Sequence, residues 1–197
     1  MTRVVAICGS LRRASCNLGL LRQCQAELKQ HHGITLDVVH IGELPLFNED
    51  IEKVLPENSS VRKFRESLKN SDGFVFATCE YNSSISAALK NAIDWGSRGE
   101  NLFNNKPAAV MGAGGYAGTT RAQSHLREVL AAINTHVLTH PELRVEIFKE
   151  PRPFDAKTGD LVCANTKQKV GWSMAAFVQY LTMVKSSKLE KVSYRPA

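Results

Sequence analysis

The side chains best suited to chemistry lie in a short polar segment, residues 9–17, called here the first loop. It carries two hydroxyls, an amide and a guanidinium, on Ser10, Ser15, Asn17 and Arg12. An apolar run precedes the loop and an amphipathic pattern follows it, so it joins a strand to the start of a helix. Free backbone N–H groups and the helix dipole favour an anion at such a place. The loop therefore predicts a phosphate cradle, and the alternative is a simple helix cap beside surface arginines.

A second polar segment, residues 79–84, follows another apolar run and is called the second loop. Tyr81 offers an aromatic face with a polar tip, which suits a flat heterocycle. Asn82 offers both a donor and an acceptor to a ring edge. The alternative is a polar loop whose tyrosine packs on a neighbour.

The third segment, residues 112–118, is rich in glycine and is called the third loop. Glycines let a backbone approach a ligand closely. Gly112, Gly114 and Ala117 formally match the dinucleotide pattern G-x-G-x-x-A. Too little chain follows them for a full six-stranded dinucleotide-binding sheet, so this match is not adopted.

Strands and helices must alternate to place these loops together. Strands are predicted at residues 4–7, 34–41, 73–78, 107–111 and 135–139, with 145–148 as an extension of the last. Helices are predicted at 17–30, from Ser59 or Ser60, from Ser84, from Thr119 or Thr120, and up to Val184. This alternation is typical of an open parallel sheet with helices on both faces, whose ligands bind at the carboxyl ends of the strands.

Composition and charge set outer limits on the function. With 197 residues, of which 43% are hydrophobic and 22% charged, the chain predicts one globular domain, residues 1–184, and a basic C-terminal tail, residues 185–197. No apolar run is long enough for a membrane span or a signal peptide, so a cytoplasmic location is expected. The net charge of +6 is spread out, which does not favour nucleic acid as a partner. Five cysteines without C-x-x-C spacing predict free thiols and no metal site.

Three motifs in order resemble the NADPH-dependent FMN reductase family, which includes chromate, azo-dye and NAD(P)H:quinone reductases. They are Gly9-Ser10-Leu11-Arg12-x-x-Ser15-x-Asn17, Glu80-Tyr81-Asn82-Ser83 and Leu89-Lys90-Asn91-Ala92-Ile93-Asp94-Trp95. Residues 44–50, Leu-Pro-Leu-Phe-Asn-Glu-Asp, are also similar. The chain departs from the family at Cys79, where proline is usual, and in the glycine spacing of the third loop.

The resemblance implies a flavodoxin-like three-layer sandwich, with a five-stranded parallel sheet and one non-covalent FMN. It implies that the first loop holds the FMN phosphate, that the second borders the isoalloxazine ring and that the third closes over its other side. The FMN contacts predicted on this basis are Ser10, Arg12, Ser15, Cys16, Asn17, Leu18, Glu80, Tyr81, Asn82, Ser83, Ile85, Gly112, Ala113, Gly114 and Gly115.

The activity expected is a ping-pong, two-electron hydride transfer from NADPH or NADH through FMN to a quinone, or to flavin, chromate or azo compounds. No catalytic acid or base and no metal is expected, and the resemblance suggests a homodimer or homotetramer. One alternative is a flavodoxin-like electron carrier or flavin sensor, although carriers are usually acidic. Another is a cysteine phosphatase built on Cys8, but its C-x-x-x-x-x-R pattern would need arginine at Ala14.

Overall fold

The strands form one parallel sheet, and each interior strand is a short apolar run. The computed structural model describes residues 2–187. Its strands are β1 (Arg3–Cys8), β2 (Thr35–Val39), β3 (Gly73–Ala77), β4 (Pro107–Gly114), β5 (His136–Val137) and β6 (Leu143–Glu146). The order is β2-β1-β3-β4-β5, and β6 also pairs with β4. This 2-1-3-4-5 order is the doubly wound arrangement of flavodoxins, and it confirms the predicted fold.

Two short strands share the fifth position of the sheet. β5 pairs with Pro107 and Ala108 at the start of β4, whereas β6 pairs with residues 111–114 at its end. The predicted extension at residues 145–148 therefore exists, but it begins two residues earlier, at Leu143. Alternate exposure of its four residues explains the shift, since Leu143 and Val145 are the two that face the core.

Helices cover both faces of the sheet. They are α1 (Cys16–His32), α2 (Glu49–Glu52), α3 (Ser60–Lys69), α4 (Ala87–Ser97), α5 (Thr120–Ala132) and α6 (Ala164–Ser186). Along β1, Val4 and Ala6 pack in the core with residues of α1 and α6, while Val5 and Ile7 pack in the core with residues of α3, α4 and α5. Burial on both faces explains why the central strands read as continuous apolar runs.

Serine side chains begin three of these helices. The Oγ atoms of Ser15, Ser59 and Ser86 accept hydrogen bonds from the N–H groups of Leu18, Arg62 and Leu89. The prediction that Ser84 caps the fourth helix was wrong, because residues 81–84 form a tight turn that delays the helix to Ala87.

The last helix is longer than predicted. It continues past Val184 to Ser186, and within it the Lys185 ammonium donates to Asp72 Oδ1 at 2.7 Å. The other basic residues of the predicted tail, Lys188, Lys191 and Arg195, lie outside the described residues, so the tail stays a prediction. Among the helices of residues 2–187, none has the length and apolar character needed to cross a bilayer.

Candidate functional site

The three polar loops leave the carboxyl ends of β1, β3 and β4, which are neighbours in the sheet. They therefore lie side by side at one edge, as the sequence predicted. Hydrogen bonds between the loops, rather than the strands alone, fix their relative positions.

The first loop ends in a helix start that is rich in donors. Ser15 is buried and caps α1 by accepting from Leu18 N at 3.3 Å. Within residues 2–187 the N–H groups of Cys16 and Asn17 make no hydrogen bond to another residue, as expected for the first turn of a helix. No acidic residue stands in that turn.

The exposed side chain of Arg12 adds a positive charge to the first loop. Burial raises the pKa of the Cys16 and Cys79 thiols, and the Arg12 charge lowers both pKa values by less. Ser10 is partly buried, and its Oγ accepts from Arg12 N at 3.4 Å.

Asn17 connects the first loop to the third. Its buried amide donates from Nδ2 to Ala113 O at 2.9 Å and accepts at Oδ1 from Ala113 N at 2.8 Å. One amide hydrogen is left over, because the group has two. In the structure, the Asn17 side chain therefore connects α1 to β4 through two hydrogen bonds, a role that the sequence did not indicate.

The carbonyl of Gly9 connects the first loop to the second. It accepts from Ser86 Oγ at 2.6 Å and from Cys79 Sγ at 3.3 Å. Burial raises the pKa of Cys79, so the residue is a neutral thiol donor at physiological pH. The thiol supplies a link between the loops at the position where the family usually has proline.

The second loop is a two-residue turn. Tyr81 and Ser84 exchange backbone hydrogen bonds of 3.0 Å, and between them Asn82 (φ 49°) and Ser83 (φ 62°) both adopt left-handed backbone. Two consecutive positive φ values are the mark of a type I′ turn. The turn leaves the Tyr81 side chain exposed, together with Asn82.

Helix α5 supports the second loop from the side. Glu80 Oε2 accepts from Ala122 N at 3.0 Å, so this carboxylate caps α5 in place of Thr119, whose side chain does not. Arg121 donates to Ser83 Oγ at 2.7 Å, and His125 Nδ1 lies 3.2 Å from Ser84 Oγ. Sequence reasoning missed Arg121 and His125 because α5 offered only a core-facing pattern.

The third loop is shorter than predicted. Gly112, Ala113 and Gly114 belong to β4, and only from Gly115 does the chain leave the sheet. A Cβ on Gly112 would collide with Thr119 Oγ1 and the Thr78 carbonyl, and one on Gly114 with the Gly118 carbonyl. These two glycines serve packing, whereas a Cβ on Gly115 would meet nothing within 4 Å. Leu18 and Ile85 are partly buried and pack against the two cores.

One element beside the site was not predicted at all. Phe154 and Leu161 form an antiparallel bridge, and residues 154–161 make a hairpin, called here the C-terminal hairpin. Its Gly159 lies against the backbone of Ala14 and Ser15 in the first loop. The signal that could have found it is Asp155 followed by Thr158-Gly159, a pattern typical of a side-chain-stabilised turn.

The phosphatase alternative fails at its nucleophile. Cys8 is buried, and its Sγ donates to Ser10 O at 3.5 Å. Burial raises the pKa of Cys8, and a neutral thiol is a poor nucleophile.

Comparison with known proteins decides the family. A model described as NADPH-dependent FMN reductase matches residues 2–150. The chain belongs to this family. The reductase is 43% identical over 172 residues to the probable NADPH:quinone oxidoreductase 1 of Oryza sativa subsp. japonica, covering 85% of this chain and 86% of that protein. It is 41% identical over 157 residues to an NAD(P)H-dependent FMN reductase of Pseudomonas aeruginosa, covering 79% and 82%.

A solved structure agrees with this assignment. FerB, a flavoenzyme NAD(P)H:(acceptor) oxidoreductase from Paracoccus denitrificans, superposes on the reductase with a TM-score of 0.81 at 31% identity. The match covers 93% of this chain and 98% of that one. The reductase is therefore an FMN- and NAD(P)H-dependent oxidoreductase, which confirms the class and the cofactors predicted from its motifs.

Proposed function

We propose that this reductase transfers two electrons from NAD(P)H to a quinone, with FMN anchored at the first loop. The observation that carries the proposal is the start of α1, where two N–H groups make no hydrogen bond to another residue and the Arg12 charge acts on the Cys16 side chain. A phosphate monoester needs several donors and a fixed positive charge. The donor set of the first loop meets that need.

In this proposal the first loop binds the phosphate of FMN and the second loop contacts its flavin ring. The N–H groups of Cys16 and Asn17, with Ser10 and Arg12, bind the phosphate. Tyr81 and Asn82, displayed by the type I′ turn, contact the flavin ring together with the backbone of Ser83. Gly115, where the third loop leaves the sheet, gives the ring room on its other side.

The protein's contribution to the reaction is position rather than acid–base chemistry. FMN, when bound, supplies a two-electron centre that accepts hydride from nicotinamide and passes electrons to the acceptor. Glu80 remains engaged at the N-terminus of α5, where it holds the second loop in place. Nicotinamide and quinone use the same open face in turn, and the exposed Tyr81 borders that face.

We also propose that the reductase is a homodimer or homotetramer. A groove of about 390 Å³ runs between α4 and α5 beside the second loop, and its lining combines the apolar Ile85, Ala87 and Val129 with Ser84, Ser86, Lys90, His125 and Glu128. Trp95, in contrast, is buried and donates to Pro45 O at 2.7 Å, so it belongs to the core. Light scattering at micromolar concentration tests the assembly, and a monomeric mass would contradict it.

A cytosolic location completes the proposal, because all five cysteines are free thiols, as is usual in a reducing compartment. Fractionation of the native host, followed by immunodetection, tests this location. Recovery of the protein outside the cytosol would contradict it.

Two arginines of the first loop allow a matched test of the cofactor site. Both arginines are exposed; burial raises the pKa of the Cys16 and Cys79 thiols, and the charge of Arg12 lowers both by less, which relates Arg12 to the start of α1. We expect Arg12→Gln to weaken FMN binding by about tenfold and Arg13→Gln, with the same loss of charge, by much less. The measurement is a fluorescence titration of the apoprotein with FMN. An apoprotein that gains no flavin absorption bands after incubation with FMN would overturn the proposal.

A further inference from the structure

The C-terminal hairpin, residues 154–161, is held in one shape by a single carboxylate. Asp155 Oδ1 accepts from Lys157 N at 2.9 Å, from Thr158 N at 2.8 Å and from Thr158 Oγ1 at 3.1 Å. These bonds, the one from the Thr158 N–H most strongly, lower the pKa of Asp155, so the side chain is charged at neutral pH. The turn they close ends at Gly159, which has φ +72°.

The tip of the hairpin fits the first loop at close range. A Cβ on Gly159 would lie 2.7 Å from Ala14 C and 2.9 Å from Ser15 C. On the facing helix, a Cβ on Gly19 would collide with the Gly159 carbonyl. The two backbones thus approach so closely that only glycine is accommodated on either side. Ser15, against which the tip rests, is the residue that caps α1.

An ion pair between Arg22 of α1 and Asp160 of the C-terminal hairpin supports the contact between the hairpin and the helix. Arg22 of α1 donates from Nε to Asp160 Oδ1 at 2.6 Å, and its terminal nitrogen donates to Thr158 O at 3.1 Å. The hairpin is therefore attached to α1 by side chains nearly two turns after the helix start and by backbone contact at the start itself. Both attachments lie beyond residue 150 on the hairpin side, outside the segment that the family model matches.

We infer that the C-terminal hairpin positions the first loop for phosphate binding, with Asp155, Gly159 and Asp160 as positioning residues. The inference rests on the proposed function, since it takes the first loop as the site of the FMN phosphate. The hairpin contributes no phosphate ligand of its own. It holds Ala14 and Ser15 so that the N–H groups of Cys16 and Asn17 converge on one point.

Charge and geometry predict opposite outcomes for this hairpin, which makes the inference testable. Removing a carboxylate near an anion site tightens anion binding if charge alone matters. If positioning matters, Asp155→Ala and Asp160→Asn loosen it, although both remove a negative charge. Asp155→Asn keeps an acceptor oxygen for the turn and restores binding. Glu57→Ala removes the same charge from a side chain that is 92% exposed in the turn before α3, where it pairs with Arg62 at 3.4 Å, and serves as the control.

The experiment is a fluorescence titration of each apoprotein with FMN and, separately, with riboflavin, which lacks the phosphate. We expect Asp155→Ala and Asp160→Asn to weaken FMN binding by about tenfold while riboflavin binding changes by less than about twofold. Unchanged or tighter FMN binding, or an equal loss for both ligands, would overturn the inference. A wild-type protein that binds riboflavin as tightly as FMN would instead overturn the proposed phosphate site, and the inference with it.

Discussion

Asn17 and Ala113 exchange a pair of hydrogen bonds that joins the start of α1 to the end of β4, with lengths of 2.9 and 2.8 Å. The Asn17 amide thus gives the β4 backbone one donor and one acceptor, as a residue of a neighbouring strand would. Through this pair the first and third loops are held at a fixed separation.

Asn17→Ala leaves the N–H and C=O of Ala113 without partners in a buried place. We expect the free energy of unfolding to fall by about 1–3 kcal/mol, because buried polar groups then lose their hydrogen bonds. Urea unfolding of the apoprotein measures this. Asn17→Asp keeps one acceptor but adds a negative charge, so it should weaken FMN binding more than Asn17→Ala does; equal FMN affinities in the two variants would contradict the proposed anion site.

Gly112 and Gly115 make a matched pair only three residues apart. Gly112→Ala forces a methyl group into Thr119 and the Thr78 carbonyl, so we expect a loss of about 3 kcal/mol in unfolding free energy. Gly115→Ala meets open space and should change stability by less than about 0.5 kcal/mol. Thermal or urea unfolding of the two variants checks the contrast, and similar losses in both would show that the packing at Gly112 is not as described.

Cys163, the cap residue of α6, should be the first cysteine to react. Hydrogen bonds from the Thr166 side chain and then its N–H group lower the pKa of Cys163, whereas burial raises the pKa of Cys8, Cys16, Cys24 and Cys79. At pH 7 a thiol reagent should therefore modify one cysteine in a fast phase.

Two substitutions assign that phase. Cys163→Ser should abolish it, and Thr166→Val should slow it, because the pKa of the thiol then rises. A fast phase that persists in Cys163→Ser would place the reactive thiol elsewhere.

Lys106 should make stability depend on pH above neutrality. Its ammonium donates to the carbonyls of Leu68 and Lys69 at 2.7 and 3.3 Å, and burial lowers its pKa from 10.5 to about 8. Between these two values the unfolded chain binds more protons than the folded one, so the free energy of unfolding rises with pH through this window and is flat below it.

The matched variant for this effect is Lys106→Gln, which lacks the titrating group. We expect the stability of the wild type relative to this variant to increase between pH 8 and pH 10 by an amount on the order of 1 kcal/mol, after allowance for partial solvent exposure. Urea unfolding at both pH values measures the difference. A relative stability that falls or stays constant over the range would contradict the lowered pKa.

The sequence predicted the sheet and the three loops, because buried parallel strands and helix starts leave strong local patterns. The apolar run at residues 4–7 depends on neighbours in sequence and was predicted, whereas Ser15 was predicted as a phosphate contact and the structure shows it capping α1. The errors arose where a distant contact decides the structure. Ser86, rather than Ser84, caps α4 because Tyr81 and Ser84 close a turn, and Gly112 belongs to β4 because residues 111–114 pair with β6.

Roles in the site were harder to predict than its location. Glu80 is bound to α5, Asn17 to β4, and Gly159 to the first loop, each through a partner at least 42 residues away in sequence. A single sequence shows a carboxylate, an amide or a glycine, but not the partner that the fold brings to it. The position of the three loops at one end of the sheet is therefore predictable from the sequence, whereas the individual hydrogen bonds of their residues are not.

The division of the fifth sheet position between β5 and β6 means that the two ends of β4 have separate neighbours. Hydrogen exchange at the end bearing Gly112 and Gly114 should follow local opening of β6, independently of the end that bears Pro107. Local opening at the carboxyl end of β4, where the third loop begins, should therefore not require opening at its amino end. A ligand could then enter and leave the site while the backbone amides in the rest of the sheet stay protected from exchange.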